Sequence, residues 1–287
     1  HNLQCLRSPG GTRLKKHARW TDAVVNHARC HFVPQKNTFS RRNPAIKLTA
    51  SAGTINVNRI WEIDLARGAA LLLMVAFHLI YDLAEFYHLP LDYQRGLLYY
   101  MGKGAATLFI LIAGLSSFFS TDNLRRGIKL LLWGFIIYII TGVVLPGSNI
   151  IFGILQFLGT GILLAPLFKG MPLPVLTTLG ALILLAGRYT GKLTLPHNWL
   201  AWLGFMGENF SSVDYYPLIP WFGVFLWGMA LRQALYPVKR SLLPHFPLSR
   251  HPLGRSLQFL GRHSLTVYLV HQPVILLLLY LFFLVIK

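Results

Sequence analysis

Four charged or imidazole side chains, beyond Glu62 at its start, interrupt the first long apolar segment of the chain, IWEIDLARGAALLLMVAFHLIYDL, residues 60–83. They are Asp64, Arg67, His78 and Asp82. A charge at the middle of a membrane helix costs about 2.5–3.5 kcal/mol on insertion scales, so such residues are functional candidates by default. The set comprises a titratable base, a fixed cation and two carboxylates. On a helix, the eleven residues from Arg67 to His78 make about three turns, or about 16 Å of rise. Both side chains then share one face at two depths. Asp64 stands three residues before Arg67, in reach of an ion pair. Asp82 stands four residues after His78, in reach of its imidazole. A carboxylate on one ring nitrogen fixes the tautomer and leaves the other nitrogen as a base.

Further polar residues lie in or beside apolar runs. Lys103 precedes GAATLF. Gln156 sits in FGILQFLG among Gly153, Gly159 and Gly161. His271 lies in GRHSLTVYLVHQP, with Pro273 two residues on. Proline tolerated in a membrane helix points to a local kink around a functional or water-lined site. Each residue also has a plainer reading. Asp64 with Arg67 is equally an interfacial ion pair whose arginine snorkels. His78 is equally a histidine bonded to a neighbouring helix, and the glycines read most simply as close helix packing. Glu208, Asn209 and Asp214 fall in a loop, where they either bind a sugar or are solvated.

The elements that position these residues are membrane helices. The chain has 287 residues, 54% hydrophobic and only 13% charged. A soluble domain carries roughly twice that share of charge. The expected fold class is all-α, a polytopic helical membrane bundle of about seven spans, with seven to ten in relatives. Hydropathy places the spans at 62–84, 98–119, 128–145, 150–168, 172–187, 216–235 and 264–286. The fifth is short and Pro-flanked, so it reads as tilted or re-entrant. The loop 188–215, with Trp199 and Trp202, is expected to dip into the interface.

Residues 1–56 differ from the rest. They carry ten Lys or Arg against one acid, Asp22, and the remainder carries seventeen against eight. This basic leader has no signal-peptide core. It is expected to be disordered or the product of a gene start placed too far upstream. A targeting peptide or a lipid-touching segment is the functional alternative. The transmembrane domain is expected over residues 57–287. Cys5 and Cys30 both fall in the leader and support neither a disulfide framework nor a zinc site, and no metal is expected.

Lys and Arg concentrate in alternate loops: Arg59, then Arg125 and Arg126, then Lys169, then Lys239 through Arg262. The positive-inside rule makes that set cytoplasmic and gives an N-in, C-out integral protein, in the plasma membrane if the source is prokaryotic. Topology accounts for these charges, so nucleic acid is not an expected partner. The lipid bilayer is. The oligomeric state is left open, a homo-oligomer included.

IDLARGAALLLMVAFH resembles the opening helix of the transmembrane acyltransferases, notably acyltransferase family 3, whose signature is an Arg, ten residues, then a His, with an Asp three before the Arg. Asp64, Arg67 and His78 match it. LGRHSLTVYLVHQPVI resembles the same family's closing helix, with Gly261, Ser264, Tyr268, His271 and Pro273 in register. The chain is still more similar to the bacterial branch grouped with the heparan-α-glucosaminide N-acetyltransferase catalytic domain. That branch shares EIDLARGAALLLMVAFHLIYDL, FILIAGLSSFFS, FGILQFLG and PWFGVFLWGMAL, and the likeness covers residues 59–287.

The resemblance implies transfer of an acyl group, usually acetyl, from cytoplasmic acetyl-CoA to a glycan or other small-molecule acceptor across the membrane. Basic residues in the cytoplasmic half suit a polyanionic donor. Under this reading Arg67, paired with Asp64 and helped by Lys103, positions the donor. His78 is the catalytic base or acyl carrier, oriented by Asp82. Gln156 and His271 line the substrate site. Two rivals use the same residues: a proton relay in a transporter or flippase, and a structural membrane protein with a satisfied ion pair.

Overall fold

The computed structural model describes residues 59–144 and 150–286. The basic leader lies outside the described residues. Eight α-helices are formed among the described residues: α1 Trp61–Glu85, α2 Gly96–Phe119, α3 Asn123–Val144, α4 Ile154–Phe168, α5 Leu173–Thr190, α6 Leu218–Leu235, α7 Pro252–Arg262 and α8 Ser264–Ile286. Six of them, all but α4 and α7, are long and apolar enough to cross a membrane. The protein is a helical membrane bundle.

All seven expected spans correspond to helices. The doubtful one differs, however. The fifth span is a helix of 18 residues, and it is α4 that is short, at 15. α7 was not expected. It has only 11 residues and includes two glycines and two arginines, too short and too polar to register as a span. The loop 188–215 folds into a pair of two-residue parallel strands, Thr194–Leu195 and Met206–Gly207, with Trp199 and Trp202 exposed.

Local chemistry sets the helix starts. Glu62 and Asp64 occupy the first turn of α1, where carboxylates complement the helix dipole. Pro172, Pro217 and His251 precede α5, α6 and α7, and Pro252 opens α7 with the fixed φ a first helical turn requires. The core forms where α2, α4, α5 and α6 meet, around Ile110, Phe157, Leu176, Phe225, Leu226 and Met229, all fully buried. α3 packs on α4 and α8 on α1. Both leave long apolar faces exposed, including Leu132, Phe135, Leu277 and Phe282. A hydrocarbon solvent accepts such faces, because every backbone group within a helix is paired internally.

Two glycine contacts fix the helix spacing. A Cβ on Gly68 of α1 would lie 1.9 Å from the Leu257 carbonyl oxygen of α7, and one on Gly261 would lie 1.9 Å from that of Asp64. Gly114 of α2 and Gly228 of α6 meet the Phe225 and Leu111 carbonyls at 2.1 and 2.0 Å in the same way. These backbones touch directly, as small residues allow in membrane bundles.

Candidate active site

At the start of α1, Asp64 is 5% exposed and holds two arginines. Arg59 Nε donates to one carboxylate oxygen at 2.6 Å and Arg67 Nη1 to the other at 3.1 Å. Arg67 also donates to Ser116 Oγ of α2 at 2.6 Å and to the Gly261 carbonyl at 3.5 Å. The guanidinium therefore ties α1 to α2 and α7, and two of its five N–H donors remain for other partners. Glu62 accepts from the Leu243 N–H and fastens the loop after α6 to the same end. Lys169 reaches the Ser120 carbonyl, and Gln233 the Met171 carbonyl. Arg232 lies over the Phe118 ring at 4.1 Å. These contacts gather the basic loops at the Arg67 end.

At the other end of α1, His78 meets His271. The chain bends at His263, between α7 and α8, and α8 then runs along α1. The two imidazole centroids are 4.9 Å apart. Pro273 lies two residues beyond, inside α8. One turn further along α1, Asp82 is fully buried. The intrahelical bond expected from Asp82 to His78 does not form. Gln272 Nε2 donates to both Asp82 oxygens instead, at 2.8 and 3.0 Å. A buried carboxylate takes the donor that reaches it best, and an amide arriving from a facing helix satisfies both oxygens at once. Histidine and carboxylate thus each find a partner on α8, as two rungs across one helix pair.

Lys103 also departs from expectation. α2 bonds Arg67 through Ser116, thirteen residues after Lys103, so Lys103 lies about 20 Å along the helix from that contact. Gly102 packs on Phe77, the neighbour of His78. Lys103 therefore belongs to the histidine end, far along the bundle from the Arg67 guanidinium. Its ammonium sits 5.8 and 5.7 Å from the Tyr99 and Trp221 rings, within range of the Asp214 charge.

Gln156 is likewise committed elsewhere. Its Oε1 accepts from the Gly153 N–H at 3.1 Å, and its Nε2 donates to the Gly134 carbonyl at 2.9 Å. It caps α4 and pins it to α3, so both ends of its amide are used. Beside it, Asp214 Oδ2 accepts from the Ile154 N–H at 3.1 Å, at the positive end of α4. On α8, the Tyr268 carbonyl meets the His271 ring.

Burial pushes the Asp214 carboxyl up to about 6, with the Ile154 N–H and Lys103 partly offsetting it. A carboxyl held above its unfolded value contributes stability in full at low pH, and that contribution is lost as pH rises through about 6. Relative to Asp214→Asn, the wild type should therefore lose a few degrees of Tm between about pH 5 and about pH 7. Thermal unfolding of both proteins in detergent across this range checks it. An unchanged slope in the variant would assign the pH dependence to other groups.

The model for the catalytic region of heparan-alpha-glucosaminide N-acetyltransferase matches residues 59–273. The chain belongs to this family. The match runs from the arginine that pairs with Asp64 to the proline after Gln272, so it contains both ends of the α1–α8 seam. Searches of curated proteins and of solved structures find no match. Membership makes the protein a membrane-embedded acetyltransferase of the heparan-alpha-glucosaminide N-acetyltransferase family.

Gln272 of α8 and Ser116 of α2, which bond Asp82 and Arg67, escaped the sequence reading. Besides His271, Gln272 is the only polar side chain between Tyr268 and Leu279, and that isolation was a usable signal. Ser116 carried none, since a lone serine in an apolar helix usually bonds its own backbone. Among the described residues there is no group of three or more His, Cys, Asp or Glu arranged to hold a metal ion.

Proposed function

We propose that the protein transfers acetyl from acetyl-CoA, bound at the Arg67 end, to an amine or hydroxyl of a glycan or similar small acceptor that enters from the His78 end. The observation that carries this reading is the His78–His271 pair, set between two helices at a depth apart from the arginines. Arg67 has unused donors, and Arg126 lies close enough for their charges to interact. Such groups suit the phosphates of CoA. Its extended pantetheine arm can then carry the thioester along the bundle to the histidines. His78 acts as base or acyl carrier, Asp82 with Gln272 stiffens the helix pair behind it, and Lys103 with Asp214 faces the acceptor. Lys and Arg asymmetry supports a cytoplasmic Arg67 end.

The test is purified protein in liposomes, given labelled acetyl-CoA on one side and an amino sugar or a polyol on the other. Label is expected on the acceptor, and only when donor and acceptor occupy opposite faces. Acceptor movement coupled to protons, with acetyl-CoA intact, would replace this reading with transport.

A further inference from the structure

We propose that His271, through Nε2, is the base that takes the proton from the acceptor. This rests on the acetyltransferase reading above and goes beyond it by dividing the work between the two histidines. His271 Nδ1 lies 2.6 Å from the carbonyl oxygen of Tyr268. A carbonyl can only accept, so the hydrogen of that bond belongs to Nδ1. In the neutral ring, Nε2 is then a bare lone pair. It is buried, and among the described residues it has no hydrogen-bond partner. Buried polar atoms without partners are rare in folded proteins, because leaving one unmade forfeits its hydration. An oriented, unsatisfied acceptor beside His78 is what an incoming N–H or O–H would complete.

Two further features agree. Gln272 Oε1, on the next residue, is a second buried acceptor with no partner among the described residues, while its amide nitrogen donates to Asp82. A group entering this corner therefore meets acceptors and must itself bring donors, as an amine or a polyol does. In contrast, among the described residues no hydrogen bond fixes the tautomer of His78, which leaves that ring free to turn toward the thioester.

The step balances as follows. The acceptor nitrogen or oxygen attacks the acetyl carbonyl carbon while its proton passes to His271 Nε2. A new C–N or C–O bond forms. The bond from that carbon to its carrier breaks, and the carrier atom keeps the electron pair, whether it is the CoA sulfur or a His78 nitrogen. Release of the proton from His271 to that atom or to water resets the base.

His271→Asn keeps an amide donor for the Tyr268 carbonyl and removes the base. It should bind acetyl-CoA and melt like wild type, yet transfer acetyl about 10²–10⁴-fold more slowly. His271→Ala opens space for a free base, so added imidazole should restore part of its transfer. Wild-type-like transfer by the Asn variant overturns the proposal. So does a folded Ala variant that is inactive and gains nothing from imidazole. If wild type transfers acetyl, His78→Ala does not, and His271→Asn does, only this assignment falls. If wild type itself transfers nothing to amine or hydroxyl acceptors, the acetyltransferase reading falls with it.

Discussion

Acetyl transfer should be lost in His78→Ala while the bundle stays folded. Among the described residues the His78 ring makes no hydrogen bond, and its neighbours are the rings of Phe77 and His271. Truncation therefore removes packing without stranding a buried partner, and the loss of stability should be small. The chemical loss should be large. Removal of a base costs about 10²–10⁴-fold, and removal of an acyl carrier stops covalent turnover altogether. The two roles separate in one experiment. Wild type mixed with labelled acetyl-CoA and no acceptor retains label on the protein if His78 carries acetyl, and retains none if it only moves a proton. Turnover within tenfold of wild type in the His78→Ala protein would remove this residue from the chemistry.

Gly68→Ala should cost substantial stability, because it opens the contact between α1 and α7. Its Cβ would stand 1.9 Å from the Leu257 carbonyl oxygen, and the obstacle is backbone, which cannot swing aside as a side chain does. Overpacking of this kind typically costs about 1–3 kcal/mol, and two abutting helix backbones argue for the upper part of that range. Relief requires α7 to lift from α1. α7 leads directly into α8, so His271 and Gln272 move with it. The expected result is a Tm lower by several degrees together with loss of transfer. Gly261→Ala should behave alike, since its Cβ meets the Asp64 carbonyl at 1.9 Å. Gly104→Ala is the control. Nothing lies within 4 Å of that position, and alanine is the better helix former. A Gly68→Ala protein as stable and active as the control would show that the α1–α7 contact does not hold the histidines together.

The spans were legible because each needs only local information. A run of about 20 apolar residues must be helical in hydrocarbon, and its limits follow from prolines, glycines and charges. The ion pair of Asp64 with Arg67 was legible for the same reason, because three residues along a helix bring two side chains together wherever the helix is placed. α7 was not, because a short helix with glycines draws its stability from the surface it docks on rather than from its own pattern.

The partners of the polar residues divide along the same line. Spacing placed His78 and Asp82 on one face of α1, and that much the chain's own periodicity determined. Spacing also suggested that they would bond each other. α8 arrived 190 positions later in the sequence and took both, pairing His271 with one and Gln272 with the other. Lys103 was recognisable as a membrane cation. That it stands with His78 rather than Arg67 depends on α2 descending beside α1, which no local pattern encodes. The order and depths of Asp64, Arg67, His78 and Asp82 along the first helix were thus set by sequence alone. Which groups they face was decided only when backbone contact at Gly68 and Gly261 and the bend at His263 brought α8 alongside. Helix periodicity is a short-range property of the chain, whereas a hydrogen-bond partner is whichever group packing delivers.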